Sequence, residues 1–152
     1  MLGRLYESEN CSAARALEFV GERWSLLILR NAAFAGQTRF SEFERSLGIA
    51  PNILASRLES FVAAGLMELQ PNAQHKGQNE YLLTEKGRDF IPALVALSKW
   101  GDRWAAPDGP PILYEHDGCG GAVGIELRCD ACDEAVTSAS VGTRFGPGFT
   151  VE

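Results

Sequence analysis

The chain has 152 residues, 45% of them hydrophobic and 22% charged, and a formal net charge of −6. This is the balance of a folded globular protein of one domain with room for a small appendage, long enough to bury a core. No apolar run approaches a membrane span, and the opening MLGRLYESEN has no stretch of signal-peptide length, so a cytoplasmic protein with no membrane partner is expected.

The charge is unevenly placed. Up to Trp104 there are twelve Lys and Arg against twelve Asp and Glu, and from Ala105 onward two against eight. The negative excess therefore belongs to the last third. A neutral remainder can still carry a local basic patch, because screening makes surface fields short-ranged.

In chain order, Ser12 is placed to cap a first helix whose apolar positions Ala13, Ala16, Leu17 and Val20 follow the helical period. Gly21 breaks it. A second helix is expected over 22–34, with Trp24, Leu27, Ile28 and Asn31 on one face and Leu26 and Leu29 making it apolar almost all round. Ser41 and Glu44 read as a capping box opening a short helix that carries Phe43 and Leu47, with Gly48 ending it. After a tight connection, Pro51 suits the first turn of a helix over 51–64 with Leu54, Leu58, Phe61 and Val62 inward. Asn52, Ser56, Arg57 and Ser60 are left for its other face.

The period then changes. Residues 66–69 and 80–83 read as strands joined by the polar segment PNAQHKGQN, a hairpin with a long exposed loop. Thr84 is expected to cap one long helix reaching Trp104, with Phe90, Leu94, Leu97, Gly101 and Trp104 in a stripe. The breaker cluster at 107–111 is the clearest linker. It divides a domain over 11–105 from an extension over 112–152. The fold class expected is mainly α with a small β-hairpin wing, followed by a small zinc-ribbon-like or β-rich extension.

A short helix joined by a tight turn to a second helix is a helix-turn-helix unit, whose second helix enters the major groove of DNA by its N-terminal residues. Asn52, Ser56 and Arg57 are the residue types that hydrogen-bond base edges and phosphates. The hairpin loop adds His75, Lys76, Gln78 and Asn79, a set suited to the backbone or minor groove. Taken singly, each could be an ordinary solvated position. Their ordered succession, helix, turn, helix, wing, makes double-stranded DNA the expected partner, with Thr38, Arg39, Lys76 and Arg57 as phosphate contacts.

Over 11–104 the chain resembles the HxlR-type branch of the MarR-like winged helix-turn-helix regulators. The resemblance is carried by Cys11, by Ala16 and Leu17, and by GERWSLLILR at 21–30. It continues through RFSEF at 39–43, LASRL at 54–58, AGL at 64–66, EYLLTEKG at 80–87 and Trp100. It implies a transcriptional regulator, not an enzyme, expected as a repressor. It also implies a homodimer, with terminal helices packed across a two-fold axis and two recognition helices on a palindromic site. The stripe ending in Trp100 and Trp104 could serve that dimer or an intrachain core. Two positions depart from the pattern: Ser12 stands where many relatives have Pro after the cysteine, and Glu68 where many have a basic residue. In some members the first cysteine senses oxidants or electrophiles. Cys11, at a helix N-terminus with Arg15 a turn away, is the candidate here, against the plainer reading of a small buried hydrophobe. A small-molecule or redox effector is therefore open. A winged-helix module used for protein contacts is the rival from another class.

In the tail, His116, Cys119, Cys129 and Cys132 have the spacing H-x2-C-x9-C-x2-C. Two such pairs could form a tetrahedral zinc site of one His and three Cys. A redox pair of Cys129 and Cys132, or cysteines packed without metal, are the competing readings. A zinc deaminase would need His-x-Glu ahead of Pro-Cys-x-x-Cys, which Asp117, Gly118 and Arg128 do not provide.

Overall fold

Periodic apolar residues build six helices and two short hairpins in the computed structural model, which describes residues 11–149. In order, α1 (Ser12–Val20), α2 (Arg23–Phe34), α3 (Phe40–Leu47) and α4 (Pro51–Ala63) precede β1 (Met67–Pro71) and β2 (Asn79–Leu83). Then come α5 (Glu85–Asp89), α6 (Ile91–Trp104), β3 (Leu127–Arg128), β4 (Ala135–Val136) and a 3-10 turn, Ser138–Ser140. The chain forms two compact units, the first ending at Leu94 and the second beginning at Val95.

The core of the first unit is the meeting of α2, α3 and α4. Ile28 and Leu29 from α2, Phe43 from α3, and Leu54, Leu58 and Phe61 from α4 are essentially inaccessible to solvent, with Met67 of β1 beneath them. Each such side chain contributes about 1.5–3 kcal/mol through burial alone. Ile49, in the turn between α3 and α4, is also buried and pins that turn to the core. Gly48 takes the left-handed conformation there (φ 60°) and donates its amide to Glu44 O at 3.0 Å, closing α3.

The wing is an antiparallel pair in which Met67 faces Leu83 and Pro71 faces Asn79. It is fastened at both ends. The Tyr81 amide donates to Thr38 O at 2.7 Å, so the segment entering α3 lines up beside β2. At the other end Thr84 caps α5, its hydroxyl accepting from the Gly87 amide at 3.2 Å. The same hydroxyl donates to Gly65 O at 2.6 Å, and the Lys86 ammonium donates to Ala64 O at 2.7 Å. A cation on the last carbonyls of a helix is favourable, so α5 seals the C-terminus of α4. Gly87 makes the approach feasible: a Cβ on it would lie 2.1 Å from Leu66 O.

Four local expectations are corrected. Cys11, not Ser12, is the residue before α1, and Ser12 is already helical. The inward residues of α1 are Ala14 and Val20, while Leu17 is half exposed. The box at the start of α3 belongs to Glu42 rather than to Ser41 and Glu44. Arg39 is the capping position, and the Glu42 carboxylate accepts its amide at 3.0 Å. Finally, the single helix expected after the wing is two, broken at Phe90. Pro92 has no amide to give to Arg88 O, and the Phe90 amide closes α5 with a tighter turn onto Gly87 O at 3.3 Å.

In the second unit the described tail is short turns and two-residue strands. Tyr114 is its one buried side chain among residues 105–149, its hydroxyl donating to Ser98 Oγ at 3.0 Å.

Candidate nucleic-acid interface

The helices α2 and α3 are joined by polar contacts as well as apolar ones. Asn31, buried near the end of α2, donates from Nδ2 to Gln37 Oε1 at 3.1 Å and to Ser46 Oγ at 3.0 Å. Ser46 in turn donates to Gln37 Oε1 at 2.8 Å, and the Arg30 guanidinium donates to Asn31 Oδ1 at 2.8 and 3.0 Å. One amide side chain thus ties α2, the loop after it and α3 together. An Asn on an otherwise apolar face is the signal for this network, which the periodicity alone does not single out.

At the N-terminus of α3, Thr38 and Arg39 are engaged with acidic partners. The Glu42 carboxylate accepts the amides of Thr38 and Arg39, each at 3.0 Å, and Arg39 Nε at 2.9 Å, and pairs with the Arg39 guanidinium. The Arg39 guanidinium first, then the two amides, hold the Glu42 carboxyl down at about 2, against its ordinary 4.5. The Thr38 hydroxyl donates to Glu80 Oε1 at 2.9 Å. Both residues sit where α3 meets the wing, committed to neighbours that orient the helix.

On α4 the inward set Leu54, Leu58 and Phe61 leaves Asn52, Ser56 and Ala63 along the opposite side of a 3.6-residue helix. Asn52 is exposed near the N-terminus beside exposed Ile53, and Ser56 is half buried. Ser60 turns its hydroxyl back to Ser56 O at 2.8 Å. Arg57 flanks the apolar face, half buried, with its Nε enclosed and without a partner among the described residues. Its stem packs while its charge belongs to the surface, the usual compromise for a long cationic side chain. Glu59 places negative charge near the Tyr81 phenol, whose pKa is raised by burial first and by Glu59 second.

The wing tip is structured by an Asx turn. Asn72 Oδ1 accepts the amides of Gln74 at 2.7 Å and His75 at 2.9 Å, and the Asn72 amide donates to Gln78 O at 2.8 Å. That turn presents His75, Lys76 and Gln78 to solvent. The arrangement can therefore offer a groove-sized helix with a polar leading end, Asn52, beside a projecting polar and basic tip. Those are the parts used for base-edge and phosphate contacts.

Cys11 is an exposed free thiol before α1. The structure brings His116 Nδ1 to 3.4 Å from Cys119 Sγ and sets Cys129 beside Cys132. Among the described residues no three His, Cys, Asp or Glu side chains converge as a metal-holding group.

Comparison with known proteins agrees with this geometry. The HxlR-like helix-turn-helix family model matches residues 19–109. The helix-turn-helix-type transcriptional regulator Rv3095 of Mycobacterium tuberculosis, itself uncharacterised, is 45% identical over 149 residues, spanning 97% of this chain and 92% of its own. Among solved structures, that of PA1607, described as a candidate transcription factor, matches with a TM-score of 0.82 at 36% identity, over 91% of this chain and 97% of that one. The redox regulator HypR in its reduced form matches with a TM-score of 0.55 at 26% identity. It covers 92% of that chain but 61% of this one, too little to include both units.

Proposed function

We propose, from the premise that this chain belongs to the HxlR-like helix-turn-helix family and is a DNA-binding transcriptional regulator, that it represses as a homodimer on a palindromic operator. Each subunit lays α4 in the major groove with Asn52 and Ser56 toward base edges. The wing tip contacts the flanking backbone through His75, Lys76 and Gln78, and Arg57 meets a phosphate beside α4. The observation that carries this reading is the exposed leading end of α4, followed directly by a hairpin whose turn holds polar and basic side chains outward.

Two-fold symmetry supports this reading, since a dimer sets two recognition helices about one DNA turn apart. A surface for it is available on α6, where Leu97, Trp100 and Trp104 share one face and are 49%, 62% and 65% exposed. Exposed tryptophans in a row are typical of protein interfaces.

The test is a binding titration on DNA upstream of the gene at several salt concentrations. Log K falls linearly with log salt as phosphates are neutralised. Lys76→Ala lowers affinity uniformly across sequences and makes the slope shallower by about 0.9 for each phosphate no longer neutralised. Asn52→Ala narrows the gap between operator and unrelated DNA. Binding indifferent to both salt and sequence would leave a protein-contact module in its place.

A second reading is favoured by the exposure of the Cys11 thiol at the start of α1 and the likeness to HypR: the regulator responds to oxidants through Cys11. Diamide then releases the wild type from DNA but leaves Cys11→Ser bound. Equal release of both removes Cys11 from the response.

A further inference from the structure

Two turns in the second unit share one backbone. At the first, the His116 amide donates to Gly121 O at 2.9 Å and the Gly120 amide returns to His116 O at 2.8 Å. At the second, the Cys129 amide donates to Glu134 O at 2.9 Å and the Asp133 amide returns to Cys129 O at 2.9 Å. The fifth residue of each is left-handed: Gly120 at φ 69° and Asp133 at φ 58°, the latter the single non-glycine residue with positive φ among the described residues. Antiparallel pairing flanks both, Glu115 with Ala122 around the first and β3 with β4 around the second.

Each turn carries a soft donor at its first and fourth positions, His116 and Cys119 in one, Cys129 and Cys132 in the other. Within the first pair the imidazole nitrogen and the sulfur are already 3.4 Å apart. In the second, the amides of Cys132 and Ala131 and the Cys132 side chain point at the Cys129 sulfur.

We infer that His116, Cys119, Cys129 and Cys132 bind one thiophilic divalent cation, zinc, which closes the two turns onto a single ion. Three thiolates and an imidazole suit tetrahedral zinc and disfavour magnesium or calcium. The surroundings explain the need. Tyr114 is the one buried side chain of residues 105–149, while Leu113, Leu127 and Phe145 lie largely exposed. A segment with so little core is stabilised chiefly by what cross-links it, and metal binding energy is then folding energy. A dithiol pair of Cys129 and Cys132 would account for the second turn alone and leave the matching geometry of the first without a purpose.

The experiment uses the full chain, purified under reducing conditions without chelator, with elemental analysis and then cobalt replacement of the metal. Expected is about one zinc per chain and, with cobalt, the visible d–d bands of a tetrahedral site with thiolate-to-cobalt charge transfer. Cys119→Ser and Cys132→Ser each lose the metal, and Cys11→Ser keeps it. A metal-free wild type that also takes up no tetrahedral cobalt overturns the inference, and this reading does not depend on the folding of any variant. Full zinc retained in Cys119→Ser overturns it too, since the turns would then not share an ion. So does a Cys129–Cys132 disulfide in the freshly reduced, metal-exposed chain. Circular dichroism of the helices, unchanged in the serine variants, shows that metal loss is local to the tail.

Discussion

Replacing Glu42 with Gln tests how the entry to the helix-turn-helix is held. The carboxylate accepts two backbone amides, from Thr38 and Arg39, and the Arg39 guanidinium. An amide of the same shape can keep one oxygen on the backbone, but it cannot attract the guanidinium. A carboxyl held at about 2 instead of 4.5 corresponds to at most about 3 kcal/mol at neutral pH. The Arg39 side chain is 39% exposed, and solvent screening of such a pair reduces the stability effect to about 1 kcal/mol. The sign with pH follows from the depressed value. This contribution is complete above the ordinary carboxyl pKa and is lost as the pH falls through the folded one, that is, from about 4.5 down to about 2. Urea unfolding followed by far-ultraviolet circular dichroism should therefore show Glu42→Gln less stable than wild type at pH 7. The gap should shrink as the pH is lowered through that window. A gap independent of pH would refute the reasoning, since Glu42 would then act by shape and not by charge.

Gly87→Ala forces a Cβ to within 2.1 Å of Leu66 O, a backbone atom that cannot step aside, so a destabilisation of about 1–3 kcal/mol in the same unfolding assay is expected. Unchanged stability would mean that α5 does not dock closely on the end of α4. Asn31→Ala removes the donor to Ser46 and one of the two donors to Gln37, which should cost about 0.5–1.5 kcal/mol and weaken binding to DNA at temperatures where the variant is still folded. Trp100→Glu places a charge in the exposed stripe of α6 and should convert the proposed dimer to monomer by sedimentation velocity; a dimer left intact would put the two-fold contact elsewhere.

The helix-turn-helix and the wing are legible in the sequence because burial there is periodic. Leu54, Leu58 and Phe61 repeat at helical spacing, and the shift to strands at Met67 is a change of period. Capping is less legible, since Ser41 and Glu44 match the usual box pattern while Arg39 is not one of the residues that normally cap a helix. The choice falls to Glu42 because it alone collects Thr38, Arg39 and the guanidinium together. The break at Phe90 is written in Pro92, whose missing amide outweighs an apolar stripe that runs unbroken across it. Asn31 is marked by its apolar face, but its partners are not legible: Gln37 and Ser46 lie six and fifteen residues away, and polar residues so spaced have no local pattern. In the tail, cysteine spacing shows the two turns. It does not show that their backbones coincide, which depends on Asp133 adopting a conformation that sequence rules reserve mostly for glycine.

The engagement of Arg39 bears on how this protein holds DNA. Its first 104 residues carry as many acids as bases, and Arg39 is already neutralised by Glu42. On the proposed reading, that leaves Lys76 at the wing tip and Arg57 beside α4 as the cations each subunit offers to phosphate. Two subunits contributing two contacts each give a slope of log K against log salt of about −4, shallow for a regulator. A regulator with so weak a field would depend on joining two half-sites, which is why the proposed dimer matters to operator binding. If the measured slope is much steeper, Arg39 must leave Glu42 for phosphate on the DNA. Glu42→Gln, which frees Arg39 in advance, separates the two cases. It steepens a shallow wild-type slope if Arg39 is otherwise withheld, and leaves it unchanged if Arg39 already switches partners.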